Sequence, residues 1–295
     1  MKRPHCPLGH TLIEFLIAMA LGLLVIAGAV SLYTAQRNAF VQASNATRIR
    51  EAGLTALMLI GQQLQMAGFV PANVIGYNAA PALFGCSGGR PTGADDSLAC
   101  TTLSTGSDGV AIRYVADVVS TWPSSSGQVT DCVGQAVKSS DAVLGDEGAP
   151  VVNRYFANVS GSTGEPELYC VGSGNAGSAQ PLIEGVERVR LRYWLDGAAD
   201  AVNASAVAAD QWANVVAVDV CVLVRGAPQG QRSKYIDCDG VSTLGTDLRP
   251  RQVFSRRVAL RNRAECRRDG SRHSNATRPR VRHMRQARRN SETLR

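Results

Sequence analysis

From Phe15 to Tyr33 the chain carries no charged residue, and at 1.5 Å per residue this run makes a helix about 28 Å long, the thickness of a bilayer's hydrocarbon core. Beyond Tyr33 the composition turns polar as far as about Ala67. Within that stretch Ile49, Gly53, Leu57, Ile60, Leu64 and Ala67 recur every three or four residues, the spacing of one helix face. Gly68-Phe69-Val70-Pro71 supplies the stop. One continuous helix of roughly 85 Å is therefore expected, apolar all round in its first half and amphipathic in its second. Between Ala72 and Gly109 the chain is rich in Gly, Pro, Ser and Asn, which reads as loops with short strands. Six β-like runs follow: Val110–Val115, Val151–Val159, Glu167–Val171, Val186–Leu195, Val215–Val224 and Val253–Leu260. In the fourth, Val189, Leu191, Tyr193 and Leu195 alternate with Arg188, Arg190 and Arg192, so one face buries and the other stays wet. The expectation is an α+β fold with an antiparallel sheet packed on the helix.

Composition changes this picture at the ends. Of the 295 residues 45% are apolar, enough for a core, and the formal charge of +7 looks at first like a nucleic-acid signal. Residues 264–295 hold ten Arg and three acids, a net of +7, which leaves residues 1–263 neutral. Nucleic acid is not an expected partner of the folded part; the tail reads as a disordered extension or a shifted reading frame. All four histidines, His5, His10, His273 and His283, lie outside residues 11–263. Triads that use an imidazole and the usual catalytic zinc sites are therefore unavailable to the body. No enzymatic activity, catalytic residue, cofactor or metal is expected.

The N-terminus admits three readings. Ala27-Gly28-Ala29 offers a signal-peptidase site after an apolar segment, and an uncleaved anchor would explain the length. Neither uses Glu14, a carboxylate at the head of an apolar run where an unpartnered acid costs several kcal/mol. A cut directly after Gly9 does, because it creates an amine four residues away. Lys2 and Arg3 are expected to keep the short leader cytoplasmic and send the rest across the membrane.

Gly9-His10-Thr11-Leu12-Ile13-Glu14 before a long apolar helix resembles the leader of type IV prepilins and of type II secretion pseudopilins. Later blocks resemble the PilW family of type IV minor pilins: Leu64 to Phe69, Gly106 to Val110, Glu167 to Cys170, Gln180 to Glu187, Trp212 to Arg225 and Val258 to Arg263. The resemblance implies a pilin-like fold and cleavage by prepilin peptidase between Gly9 and His10. It also implies N-methylation of His10, where the family usually has phenylalanine, and an assembly role for Glu14. By this reading 1–9 is the leader, 10–33 the membrane or filament-core helix, 34–68 its amphipathic continuation, 69–263 a periplasmic head and 264–295 the tail. Partners implied are the peptidase, other minor pilins, the major pilin and the inner membrane, with the pilus or cell surface as destination. The alternatives are a type II secretion pseudopilin and an exported ligand-binding or carboxylate-dependent enzymatic domain.

Cys86, Cys100, Cys132, Cys170, Cys221 and Cys238 make an even count in a segment placed outside the cytoplasm, without any CxxC. Fifteen pairings are open; the sequence-local one, Cys86–Cys100, Cys132–Cys170 and Cys221–Cys238, is favoured because each bridge closes a poorly patterned loop. Gly172-Ser173-Gly174-Asn175-Ala176-Gly177 matches a dinucleotide fingerprint but precedes no helical pattern, and Asp237-Cys238-Asp239-Gly240 lacks the remaining ligands of a calcium loop. Both read as polar loops.

Overall fold

The computed structural model of the chain describes residues 11–72, 74, 80–117, 119–137 and 148–262. Gly9, His10, the leader of residues 1–9, Cys6, Cys266 and the basic tail lie outside the described residues. Helix α1, Leu12–Met66, runs unbroken for 55 residues, about 80 Å, and its sequence holds no proline. It ends where Gly68 takes a left-handed φ of 74° and gives its N–H to the Arg113 carbonyl at 2.8 Å, turning the chain into the head.

Among the described residues twelve strands follow: β1 (Leu83–Cys86), β2 (Gly89–Gly93), β3 (Leu98–Thr102), β4 (Gly109–Ala116), β5 (Ala149–Val159), β6 (Pro166–Val171), β7 (Gln180–Glu184), β8 (Val186–Leu195), β9 (Val215–Arg225), β10 (Lys234–Ile236), β11 (Ser242–Leu244) and β12 (Arg251–Ala259). All pairings are antiparallel. They form a five-stranded sheet in the order β1-β4-β5-β6-β7, a three-stranded sheet in the order β12-β9-β8, and the hairpins β2–β3 and β10–β11. The α+β class expected from the sequence is the observed one. A single sheet on the helix is not: the chain changes sheets between Glu184 and Val186, where only Gly185 intervenes with φ 88°. Its N–H bonds the Pro166 carbonyl and its carbonyl accepts from Arg225, so this glycine belongs to both sheets.

Helix α1 packs chiefly on β12 and β9, with further contact to β4, β7 and β8. Its buried stripe is Asn45, Ile49, Gly53, Ala56, Leu57, Ile60, Gly61 and Leu64. Ile60 and Leu64 join Leu83, Ile112, Leu168, Leu191 and Tyr193 in one continuous core. The three disulfides follow the sequence-local pairing. Cys86–Cys100 ties β1 to β3, Cys132–Cys170 ties a loop to β6, and Cys221–Cys238 ties β9 to the turn of the β10–β11 hairpin.

Candidate assembly surface

Thr11 caps the helix: Glu14 donates its N–H to Thr11 Oγ1 at 3.4 Å, and the Glu14 carboxylate accepts from the Thr11 N–H at 2.9 Å. The pair satisfies two of the donors that every helix start leaves open, and the acid faces the positive end of the helix dipole. Both residues are exposed, so the carboxylate sits at the tip of the bare helix within reach of another molecule.

Every residue from Thr11 to Ser44 is exposed, including Leu12, Phe15, Leu16, Leu24 and Ile26. Each large apolar side chain left in water forgoes roughly 1.5–3 kcal/mol, so this surface must be covered by lipid or by other helices. The helix is long and apolar enough to cross a membrane, and none of the relevant segment is buried in the protein. Burial against the head begins at Asn45, later than the start of the polar composition at residue 34. The intervening stretch, with Arg37, is exposed, and Gln42 borders a shallow pocket formed with Gln229, Gln231 and Pro250 of the head.

Asn45 is the clamp at this junction. Its Nδ2 donates to the Ala227 carbonyl at 3.0 Å and its Oδ1 accepts the Ala227 N–H at 2.9 Å, pinning the helix to the loop after β9. A Cβ on the neighbouring Gly226 would lie 2.6 Å from Asn45 Oδ1, so the loop can approach only because that residue is glycine. Further along, Gly53 lets the Phe254 ring of β12 lie against the helix backbone, and Asn262 donates to the Gln65 carbonyl at 3.0 Å. Asn153, fully buried on β5, donates to Gln63 of the helix at 3.0 Å and to the Tyr114 hydroxyl at 3.1 Å, and accepts the Cys132 N–H. Burial pushes the Tyr114 hydroxyl up to about 12, against a smaller lowering by Asn153, so it stays neutral at any physiological pH. Sequence periodicity missed Asn45 because a polar residue reads as solvent-facing. The stripe at 49, 53, 57, 60 and 64, extended back by four, falls on it.

The Gly106-Ser107-Asp108-Gly109 block closes one edge of the three-stranded sheet. The Asp108 N–H bonds the Val189 carbonyl at 2.9 Å, Asp108 Oδ2 accepts from Leu191 N–H at 2.9 Å, and Ser107 Oγ accepts from Val189 N–H at 3.0 Å. Asp108 Oδ1 also accepts from Gly88 N–H at 2.8 Å and from Arg190 at 3.3 Å. One buried carboxylate thus joins β8 to the turn between β1 and β2.

The three alternating arginines of β8 are mostly engaged within the chain. Arg190 pairs with Asp108 and Asp239, and Arg192 donates to the Ala201 carbonyl at 2.8 Å. Beside them Asp219 accepts two bonds from Arg257, at 2.6 and 3.1 Å, and one from Trp194 Nε1, while the Arg257 guanidinium stacks on the Trp194 ring. Burial alone would raise the Asp219 carboxyl, but those donors outweigh it and hold it below its ordinary value. At the far end Arg251, nearly buried, bridges Glu187 and Asp247, and its hydrogen bonds hold Asp247 down at about 2. Arg154, also buried, pairs with Asp95 beneath the β2–β3 hairpin.

The two motif-like loops are filled from within. Asp131 Oδ2 accepts the Gly174 N–H at 3.0 Å and would collide with a Cβ on Gly172, so a carboxylate already occupies the place a phosphate would need. Asp237 Oδ1 accepts from Asp239 and Val241 N–H in a tight turn. Among the described residues no group of three or more His, Cys, Asp or Glu side chains is placed to hold a metal ion.

The family model described as Type IV Pilus-assembly protein W matches residues 154–262, the stretch from β5 through β12. This match points to a protein connected with assembly of a type IV pilus. No curated protein and no solved structure matches the chain.

Proposed function

We propose that this chain is a minor pilin. It is made as an inner-membrane prepilin with the head in the periplasm, cut between Gly9 and His10 by prepilin peptidase, methylated on the new His10 amine, and incorporated into a pilus or its initiation complex with the major pilin and other minor pilins. The observation that carries this reading is the division of one unbroken helix. Residues 11–44 are all exposed, and the remainder is clamped to a disulfide-bonded head by Asn45, Gly53 and Asn262. A helix needed only as a lipid anchor has no use for some 50 Å of bare length continuous with a head. A subunit that leaves the membrane to enter a bundle of like helices needs that length, and a rigid junction to carry its head along.

Glu14 fits the same scheme. A carboxylate drawn from the membrane edge into an apolar helix bundle needs a cation, and the amine freed by cleavage on a neighbouring subunit supplies one. The capping bonds to Thr11 keep the acid solvated by its own helix end until then. Head position follows from the helix, since Asn45, Gly53 and Asn262 seat the two on each other. The family match over the head agrees with this role.

The test is the composition of filaments sheared from cells. The protein is expected in the sheared fraction of wild-type cells and in the membrane fraction when prepilin peptidase is deleted. Recovery only from membranes or free in the medium, in cells that make normal pili, would overturn the proposal. Glu14→Gln is expected to reduce incorporation at unchanged membrane level, and undiminished incorporation would remove the ion-pair role.

A further inference from the structure

The two edges of the three-stranded sheet are treated differently by the chain. In an antiparallel ladder alternate residues turn their N–H and C=O to opposite sides. On β8 the odd-numbered residues face away from β9, and the chain provides for them. Ser107 and Asp108 serve Val189 and Leu191, and Val202 exchanges two bonds with Tyr193 at 2.7 and 2.9 Å. At the opposite edge, the bonds from Gly226 N–H to the Pro250 carbonyl and from Leu260 N–H to the Val216 carbonyl set the parity of β12. Even-numbered residues bond β9, so residues 253, 255, 257 and 259 turn their N–H and C=O outward.

No described residue bonds those outward groups. The strand is nine residues long, pairs with β9 in one unshifted register, and contains no proline and no bulge, two of the devices that ordinarily spoil an edge for pairing. From Ser255 to Arg257, and again at Ala259, it is exposed. The charge beside it is mainly basic, with Asp219 and Asp237 the carboxylates among the residues that line the groove there. Arg256 and Arg261 are exposed and make no ion pair among the described residues, Arg257 shares Asp219, and Arg192 borders the groove of about 610 Å³ that runs along the outer face of β9 and β12.

We infer that the open edge of β12 is a docking site for an extended acidic segment of another polypeptide, which adds to the sheet as a fourth strand. The main-chain groups of residues 253–259 give the added strand its hydrogen bonds, and Arg256, Arg257 and Arg261 select carboxylates on it. A second copy of β12 is the wrong occupant, because it would bring its own arginines to the same ribbon. The inference does not rest on the fate of the helix.

The experiment uses the full-length protein in detergent micelles. The probes are a fluorescein-labelled peptide alternating glutamate and valine, as long as β12, and its lysine-for-glutamate counterpart. The glutamate peptide is expected to bind about tenfold or more tightly than the lysine peptide at low salt. It is also expected to slow hydrogen exchange at the amides of Ser255, Arg257 and Ala259. Ser255→Pro removes only an outward N–H and leaves every bond to β9 in place, so it is expected to weaken binding about tenfold with the thermal midpoint little changed. Should that variant fail to fold, the exchange pattern of the unmodified protein decides alone. Equal binding of both peptides, protection confined to other segments, or unaltered binding by folded Ser255→Pro would each overturn the inference.

Discussion

Replacing Gly53 by alanine tests the seating of the helix on the head through the sign of its effect. In the middle of a helix this change ordinarily stabilises by about 1 kcal/mol, because glycine loses more chain entropy on folding. Here the new methyl would lie 2.1, 2.3 and 2.6 Å from Cδ2, Cε2 and Cγ of Phe254. Ordinary carbon contacts need about 3.5–4.0 Å. Rotation of the ring about its own axis leaves Cγ where it is, so relief requires the whole side chain or strand β12 to retreat by more than an ångström. Overpacking of this kind costs about 1–3 kcal/mol. The net expectation is a loss of up to about 2 kcal/mol in place of the usual gain, or a fall of up to roughly 6 °C in the midpoint of thermal unfolding for a head of this size. Circular dichroism of the full-length protein in detergent would read it. Gly28→Ala, with nothing within 4 Å, should leave the head's midpoint unchanged. In a Phe254→Ala background Gly53→Ala should turn stabilising, which a double-mutant cycle measures as coupling. A rise in midpoint for Gly53→Ala alone would refute the reasoning, because it would mean that the helix and β12 are not in contact there.

Asp108→Asn should cost about 2–3 kcal/mol, because one of the two amides now bound by the carboxylate would face an NH2 group; faster hydrogen exchange at Leu191 and Gly88 would report it. Asp247, Asp219 and Glu165, the last with its desolvation outweighed by the bonds it accepts from Arg225 and Arg249, all titrate below their ordinary values, so the folded state releases their protons more readily than the unfolded chain does. Their stabilisation is therefore complete above the ordinary carboxylate range and lost as pH falls from about 4 toward 2, and Asp247→Asn should flatten that decline in a series of acid denaturation curves. Among the bridges, removing Cys132–Cys170, which spans 38 residues, should cost about 4 kcal/mol against about 3 for the bridges spanning 14 and 17. Equal losses for paired Cys→Ala variants in urea titrations would contradict that ordering.

The helix and six of the strands were legible because a single periodicity governed each: the buried positions Ile49, Leu57, Ile60 and Leu64, and the alternating face Val189, Leu191 and Tyr193, sit where the pattern puts them. Strands β2 and β7 were not, since Gly89-Arg90-Pro91-Thr92-Gly93 and Gln180-Pro181-Leu182-Ile183-Glu184 carry the residues that mark loops. They form because a neighbouring strand and, for the β2–β3 hairpin, the Cys86–Cys100 bridge hold them. The polar fasteners escaped notice for a related reason. Asn45, Asn153 and Asp108 look soluble one at a time and become structural only through partners about 80 to 180 residues away in sequence. The division of the sheets at Gly185 was equally hidden, because nothing in Gln180–Glu184 marks a strand and only the glycine's left-handed conformation separates β7 from β8.

Intact and N-terminal peptide mass of the protein recovered from membranes, with and without prepilin peptidase, addresses the proposed maturation most directly. The account predicts a terminus at His10, carrying a methyl group, that appears only when the peptidase is present, and a chain starting at Met1 when it is absent. A terminus at Val30, or a chain that keeps Met1 in the presence of active peptidase, would contradict it.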